Sequence, residues 1–242
     1  SPNEKLEVNG NIAILNSIQA TPPVVISTEF NWTPVGQTLQ GDAETDEFGF
    51  SVSLSSAGTR VAIGAPYNDG PGNVASNSGH VRIYTLIGGI WTQSGQTIQG
   101  AANSDQFGYS VSLSSDGTTV AIGARANDEG PGLNSGHVRI FKLIGGTWTL
   151  LGDPIVGLLA YDRSGYSVSL SSDGTRVAIG APYNDGGPDD SGHVQVFMWN
   201  STNDTWDILG AAIEGLATDD NSGWSVSLSS DGTRVAIGAP YN

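Results

Sequence analysis

The sequence predicts an all-β propeller of four-stranded antiparallel blades, and three observations carry that reading. Ser-Val-Ser-Leu-Ser-Ser stands at Ser51 and returns at Ser110, Ser167 and Ser225, at spacings of 59, 57 and 58 residues. Each copy is followed by a Gly-Thr step and by Val-Ala-Ile-Gly, starting at Val61, Val120, Val177 and Val235. No segment holds a helical period, while alternation of apolar with small or polar residues is frequent. Repeats of about this length, cut into short strands by turn residues, describe blades set around a ring.

Each element follows from local pattern. Val52 and Leu54 alternate with Ser51, Ser53 and Ser55, the two-residue period of a strand. Asp116-Gly117, Asp173-Gly174 and Asp231-Gly232 mark tight hairpins into a second strand, in which Val61, Ile63 and Ala65 alternate with Ala62 and Gly64. A third strand opens on Ser-Gly-His-Val, at Ser78, Ser135 and Ser191. Gly88-Gly89 turns the chain into a fourth, led by Trp91, with Trp32, Trp148 and Trp206 at the equivalent places. Three complete blades are expected at 42–100, 101–157 and 158–215. Half-blades at 22–41 and 216–242 are complementary, and their pairing as one composite blade would close a four-bladed ring without exposed sheet edges; a larger ring, of which these blades are one window, is the alternative. Residues 1–21 form a separate arm: Leu6 and Val8, Asn9-Gly10, then Ile12 and Ile14 read as a hairpin too small to fold alone.

Composition excludes several functions. Of 242 residues 34 are Gly, and Asp and Glu outnumber Lys and Arg by 24 to 9, for a net charge of −15. Such a chain offers no basic face to nucleic acid phosphates or to an anionic membrane. No apolar run reaches the ~20 residues of a spanning helix, so membrane insertion is not expected. There is no Cys, which excludes disulfides and thiolate metal sites.

Phe48-Gly49 followed by Gly64-Ala65-Pro66 resembles the FG-GAP repeat of integrin α-subunit propellers and their relatives. Phe107-Gly108 with Gly123-Ala124 is a near match, with Arg125 in place of Pro. Later units keep Gly165 and Gly223 after Ser164 and Ser222, with Gly180-Ala181-Pro182 and Gly238-Ala239-Pro240. The resemblance covers roughly 22–242 and implies the propeller fold. Many members carry a calcium loop between the first two strands. Here that place holds Ser-Ser-Ala-Gly or Ser-Ser-Asp-Gly, too few oxygens for the ion. The segment from Ser1 to Ile12 resembles one found in phage-like tail fibres and fibrous surface proteins, which implies oligomer or fibre assembly through the arm.

Candidate sites lie on the face formed by the second-to-third and fourth-to-first connections. It gathers most of the acidic residues, and Asp42, Glu44 and Asp46 are its candidate cation ligands, with Ca2+ as the cofactor that set would take. The long loops of this face repeat Tyr-Asn-Asp, so Tyr67, Asn68, Asp69, Asn127, Asp128, Tyr183, Asn184 and Asp185 are candidate ligand contacts, stacking on and hydrogen-bonding a sugar. Arg125, Glu129, Tyr161 and Arg163 break the repeat and are the candidates for a unique site. His80, His137 and His193 occupy one equivalent position on three blades, too far apart to share an ion. Asn31, Asn200 and Asn203 begin glycosylation sequons, meaningful in a chain secreted by a eukaryote.

Near-identical blades repeat one chemical group around the ring, whereas catalysis needs different groups converging. The leading expectation is therefore a non-enzymatic extracellular or virion-fibre domain that binds a glycan or surface protein through its acidic loops. A structural filament subunit and a polysaccharide hydrolase or lyase are the alternatives.

Overall fold

The computed structural model describes residues 33–70, 76–187 and 189–242, with two short strands of the arm. The chain divides into two units, Ser1–Pro34 and Val35–Asn242. In the first, β1 (Glu7–Val8) pairs antiparallel with β2 (Asn11–Ile12). The remaining elements are blades.

Blade 1 comprises β3 (Ser51–Leu54), β4 (Arg60–Ala65), β5 (His80–Ile87), β6 (Ile90–Gln93) and β7 (Ile98–Gln99). Strand order is β3-β4-β5-β6, and β7 pairs with the start of β5, so β6 and β7 are one interrupted outer strand. Blade 2 repeats this with β8 (Phe107–Leu113), β9 (Thr119–Ala124), β10 (His137–Ile144), β11 (Thr147–Leu150) and β12 (Ile155–Val156). Blade 3 does so with β13 (Ser167–Leu170), β14 (Arg176–Ala181), β15 (His193–Asn200), β16 (Thr205–Ile208) and β17 (Ile213–Glu214). Blade 4 has two strands, β18 (Ser225–Leu228) and β19 (Val235–Gly238). The strands expected to complete it fall largely on 22–32, outside the described residues. Within 35–41 there is no strand, and Gln37 hydrogen-bonds to the backbone of Trp91 in blade 1.

Each blade has two faces, set by the two-residue period. One core joins Ala62, Val81, Ile83 and Ile98 of blade 1 to Phe107, Leu113, Val120, Ile122, Phe141 and Trp148 of blade 2. A second joins Ala121, Val138, Ile140 and Ile155 of blade 2 to Val168, Leu170, Val177, Ile179 and Phe197 of blade 3. The face toward the following blade is here called trailing, and the face toward the preceding one leading. Large leading residues pack into small trailing ones. Burial of each Val, Ile or Phe stabilises by ~1.5–3 kcal/mol, so the cores lie between blades rather than within any one of them.

The serines of the innermost strands point to the trailing side. Ser53, Ser112 and Ser169 accept, at Oγ, the N–H of Leu113, Leu170 and Leu228 on the next blade, at 2.9–3.0 Å. Ser51, Ser110 and Ser167 donate to the carbonyls of Gly108, Gly165 and Gly223, at 2.7–2.8 Å. Small hydroxyls let adjacent blades approach while satisfying backbone groups that no neighbouring strand pairs. The glycines explain the motif. A Cβ on Gly64, Gly123 or Gly180 would sit 2.0–2.1 Å from the carbonyl oxygen of Gly108, Gly165 or Gly223. The Gly of each of these three Gly-Ala steps therefore lies directly against the Gly that opens the next blade. Further out, Trp91, Trp148 and Trp206 donate from Nε1 to the carbonyls of Val35, Ser94 and Leu151. Trp148 and Trp206 are ties between blades, and Trp91 ties the 35–41 segment to blade 1.

Candidate functional site

The Tyr-Asn-Asp loops divide into scaffold and site. Asn68, Asn127 and Asn184 are buried, at 7%, 3% and 1% exposure. Asn68 and Asn127 donate from Nδ2 to Asp46 and Asp105, at 2.8 and 2.9 Å. All three accept at Oδ1 a backbone N–H two residues on, from Gly70, Glu129 and Gly186. Asp69, Asp128 and Asp185 accept from the N–H of Asn77, Asn134 and Asp190, closing the long loops. These six residues, expected to face a ligand, hold the loops in shape; the three Asn are buried, while Asp128 and Asp185 are also exposed.

Of the acidic cation set, Asp46 is buried while Asp42 and Glu44 are exposed. Asp46 is 5% exposed and accepts from Ala43 N and Asn68 Nδ2. Its counterparts Asp105, Asp162 and Asp220 are as deeply buried and accept from the backbone of Ala101 and Ala102, Leu159, and Leu216 and Ala217. Asp42 is ion-paired with Arg82, which holds its carboxyl below the usual range. Glu44 sits exposed in a single 3-10 turn, Glu44–Asp46. Among the described residues no three His, Asp or Glu side chains are grouped to hold a metal ion. The expected Ca2+ set is thus not assembled, because two of its three carboxylates are consumed locally.

The histidines stay apart, each buried at the start of a third strand. Burial drives His80 down to about 4 and His137 to about 3, so both are neutral near pH 7. His137 Nδ1 lies 3.1 Å from Glu129 Oε2, a neutral ring donating to a carboxylate. The pattern-breaking Glu129 is thereby bound to its own blade. Tyr161 is exposed, and its N–H donates to Leu133 O. At the sequons, Asn200 bonds to Asp207 through its side chain, Asn203 is exposed in a turn, and Asn31 lies outside the described residues.

What the structure does bring together is aromatic. The residue after each blade-opening glycine is Phe50, Tyr109, Tyr166 or Trp224. Their rings follow one another around the innermost strands at centroid separations of 4.8, 5.1 and 4.7 Å. Tyr67 meets Phe50 edge-on at 6.2 Å, Tyr183 meets Tyr166 at 6.2 Å, and Tyr241 meets Trp224 at 6.2 Å. The two tyrosines expected at a ligand site therefore join an aromatic crescent that the sequence reading did not identify. Its signal, an aromatic following each of four equivalent glycines, was present in the repeat.

Two cations lie on this crescent. The Arg125 guanidinium is 3.8 Å from the centroid of Tyr109 and 5.4 Å from that of Tyr166, and its Nε donates to Gln106 at 2.8 Å. Arg163 is 4.7 Å from Tyr183. Cation–π contacts of this kind contribute roughly 0.5–2 kcal/mol. Burial, then the hydrogen-bonded Tyr109, push the Tyr166 hydroxyl up and keep it protonated. Arg163 takes φ +55°, and Asp190 takes +49° where Asn77 and Asn134 stand in blades 1 and 2. Asp190 is the acid that breaks that repeat. Partial burial and the carboxylates of Asp185, Asp219 and Asp189 raise its pKa, while Arg163 lowers it. Phe50 is 44% exposed and the other three ring positions are half-buried, so the crescent is open to a ligand. A separate cleft of about 360 Å³, lined by Asp153, Ile155, Phe197 and Trp206, lies between the outer strands of blades 2 and 3, and none of these groups lines it.

Comparison with protein families decides the kinship. The FG-GAP repeat model matches residues 38–84, 91–141 and 158–197, more than half of the chain. The chain belongs to the FG-GAP repeat family. No curated protein matches it by sequence. Among solved structures, this FG-GAP chain superposes on a candidate 6-phosphogluconolactonase of Bacteroides uniformis with TM-score 0.52 and 14% identity, over 77% of this chain and 46% of that one. It superposes on the periplasmic gluconolactonase of Pseudomonas aeruginosa with TM-score 0.52 and 15% identity, over 78% and 50%. The chain spans about half the length of each. At such identity the likeness is one of fold: it is a β-propeller. The expectation of a non-enzymatic adhesion domain is corrected by this comparison, since both similar propellers are named as lactonases.

Proposed function

We propose that this propeller is part of a hydrolase acting on a sugar-derived substrate, received by the aromatic crescent. The single observation that carries the reading is the convergence of Tyr109, Tyr166, Tyr183 and Trp224 with Arg125 and Arg163 on a face otherwise rich in acid. Aromatic faces stack on sugar rings. Guanidinium groups bind the carbonyl, carboxylate or phosphate of an oxidised or phosphorylated sugar. The lactonase names of the two similar propellers support a ring ester as the substrate class.

In such a reaction water adds to the ester carbonyl carbon, the bond to the ring oxygen breaks, and that oxygen takes a proton. Arg163 and Arg125 would stabilise the negative charge that develops on the carbonyl oxygen. We assign acceptance of the proton of water to Asp190, the carboxyl that stands where blades 1 and 2 have Asn77 and Asn134 and that interacts with Arg163. The identical blades do not forbid this, since Arg125, Arg163 and Asp190 are three positions at which the repeat is broken.

The test is a pH-stat assay of the purified chain against a panel of aldono-δ-lactones, with and without a 6-phosphate. Hydrolysis above the buffer rate, reduced at least tenfold in Arg163→Met, is expected. Hydrolysis no faster than buffer across the panel overturns the proposal.

A further inference from the structure

The cleft between the outer strands of blades 2 and 3 lies where an arginine of the repeat has been lost. Strand register sets Arg82, Arg139 and Gln195 at one position of the third strand, opposite Ile63, Ile122 and Ile179. In blade 2 the Arg139 guanidinium is 4.3 Å from the Phe107 centroid and 5.9 Å from that of Phe141, and its Nη2 donates to Gln99 O of blade 1 at 3.2 Å. In blade 1 Arg82 is 6.0 Å from the Phe48 centroid and ion-paired with Asp42. Blade 3 has Ser164 in place of the Phe and Gln195 in place of the Arg. Gln195 is shorter and uncharged, so both halves of the stack are missing from one interface.

A further replacement alters the rim of the same wedge. Gln37 and Gln96 each bracket the tryptophan of the next outer strand. Their Nε2 atoms donate to Trp91 O and Trp148 O at 2.6 and 2.7 Å, and their Oε1 atoms accept from Trp91 N and Trp148 N at 2.9 and 3.0 Å. Asp153 stands at that place before Trp206, is exposed, and as a carboxylate has no N–H to give to Trp206 O. The cleft is lined by Gln195 itself, and by Val156 and Phe197, which occupy the places of the Gln99 and Phe141 that Arg139 touches. Asp153 and Trp206 complete it, and among the described residues Asp153 is the one charged side chain in its wall. Its volume of about 360 Å³ suits a small ligand group.

We propose that this cleft binds an alkylguanidinium group supplied by a ligand, in the place that Arg139 fills one blade earlier. The preceding interface of the same chain shows the chemistry: a guanidinium over a phenylalanine ring, donating to an outer-strand carbonyl. Here Phe197 supplies the ring, Val156 O the carbonyl and Asp153 an anionic partner, with Trp206 as a second aromatic wall. Guanidinium planes stack on aromatic faces and donate in a fork to carboxylates. A lone carboxylate in the wall and a net charge of −15 favour a cation and disfavour the sugar acids assigned to the crescent. The cleft shares no residue with the crescent, so the inference stands apart from the chemistry there.

Amide NMR of the purified chain titrated with butylguanidinium chloride tests it, read at the backbone and indole N–H signals of Trp206. Saturable shifts are expected, with neutral butylurea binding about tenfold more weakly, the loss expected of a charge-assisted hydrogen bond. Asp153→Asn should weaken butylguanidinium by a similar factor. Gln195→Arg places the chain's own guanidinium in the cleft and should abolish the shifts while the rest of the spectrum stays dispersed. Asp153 is exposed, so its variant reads the site even where Gln195→Arg does not fold. A blocked Gly-Arg-Gly peptide, titrated alongside, separates the sources: binding at least as tight as butylguanidinium assigns the group to a polypeptide, and its failure assigns it to a small molecule, each in support of the site. No saturable shift with butylguanidinium overturns the proposal. So does equal binding of butylurea, or binding undiminished in Asp153→Asn or in a folded Gln195→Arg.

Discussion

Replacing Gly123 by Ala tests how the blades are held together. The added Cβ would lie 2.0 Å from the carbonyl oxygen of Gly165 and 2.4 Å from Ser110 Oγ. The first neighbour is backbone and cannot swing aside, so blades 2 and 3 must part by about an ångström or more to reach ordinary contact. Separation costs ~1–3 kcal/mol in overpacking strain. It also loosens the Ser110 Oγ to Gly165 O hydrogen bond, now 2.8 Å, worth ~1 kcal/mol. For a chain of this size ~2–4 °C of Tm accompanies each kcal/mol, so Gly123→Ala should melt roughly 5–15 °C below wild type. Ser110→Ala removes the hydrogen bond without the clash and should lose only ~2–4 °C. Differential scanning calorimetry reads both. A Gly123→Ala protein that melts with wild type, or a Ser110→Ala protein that falls as far, refutes the reasoning.

Trp148 is 2% exposed and ties Ser94 O to blade 2; its change to Ala should cost ~3–5 kcal/mol in urea denaturation, and a loss under 1 kcal/mol would deny it that role. Asp105 accepts from Ala101 N, Ala102 N and Asn127 Nδ2. Asp105→Ala strands these donors and should raise amide exchange across 101–106 while the strands of blade 2 keep their protection; uniform exchange would contradict a local role. Burial keeps His80 and His137 neutral with pKa values of about 4 and 3, against 6.5 in the unfolded chain. The unfolded state therefore binds the extra protons, and stability should be full above pH 6.5 and fall as the pH drops from 6.5 toward 3. A urea midpoint that is flat over that window in wild type, or that falls equally in a His80→Gln, His137→Gln double variant, would show that the histidines do not carry the loss.

The fold was legible because the repeat is periodic at two scales. Two-residue alternation in Ser51–Leu54 and Arg60–Ala65 names the strands, and the return of the same words about 58 residues later names the blades. The same periodicity concealed the roles of polar residues. Asn68 and Asp69 read as ligand contacts because Asn, Asp and Tyr suit sugars, but a loop turning between two strands must first satisfy its own N–H groups, and these side chains do so. Asp46 read as a cation ligand for its charge, while its position three residues after Ala43 made it an acceptor for that backbone instead. Phe50, Tyr109, Tyr166 and Trp224 went unnoticed because they differ in identity, and only the curvature of successive blades turns four separate aromatics into one surface. Arg125 and Arg163 were visible as breaks in the pattern, yet their placement over Tyr109 and Tyr183 is a property of three dimensions.

The most direct test of the account is where a sugar acid binds. A crystal of the chain soaked with the aldonate product of the best lactone should show it stacked on Tyr109, Tyr166 or Trp224, with its carboxylate on Arg125 or Arg163. The same aldonate found only in the outer cleft by Asp153 and Trp206, or no bound aldonate at saturating concentration, would contradict the assignment of the crescent as the site.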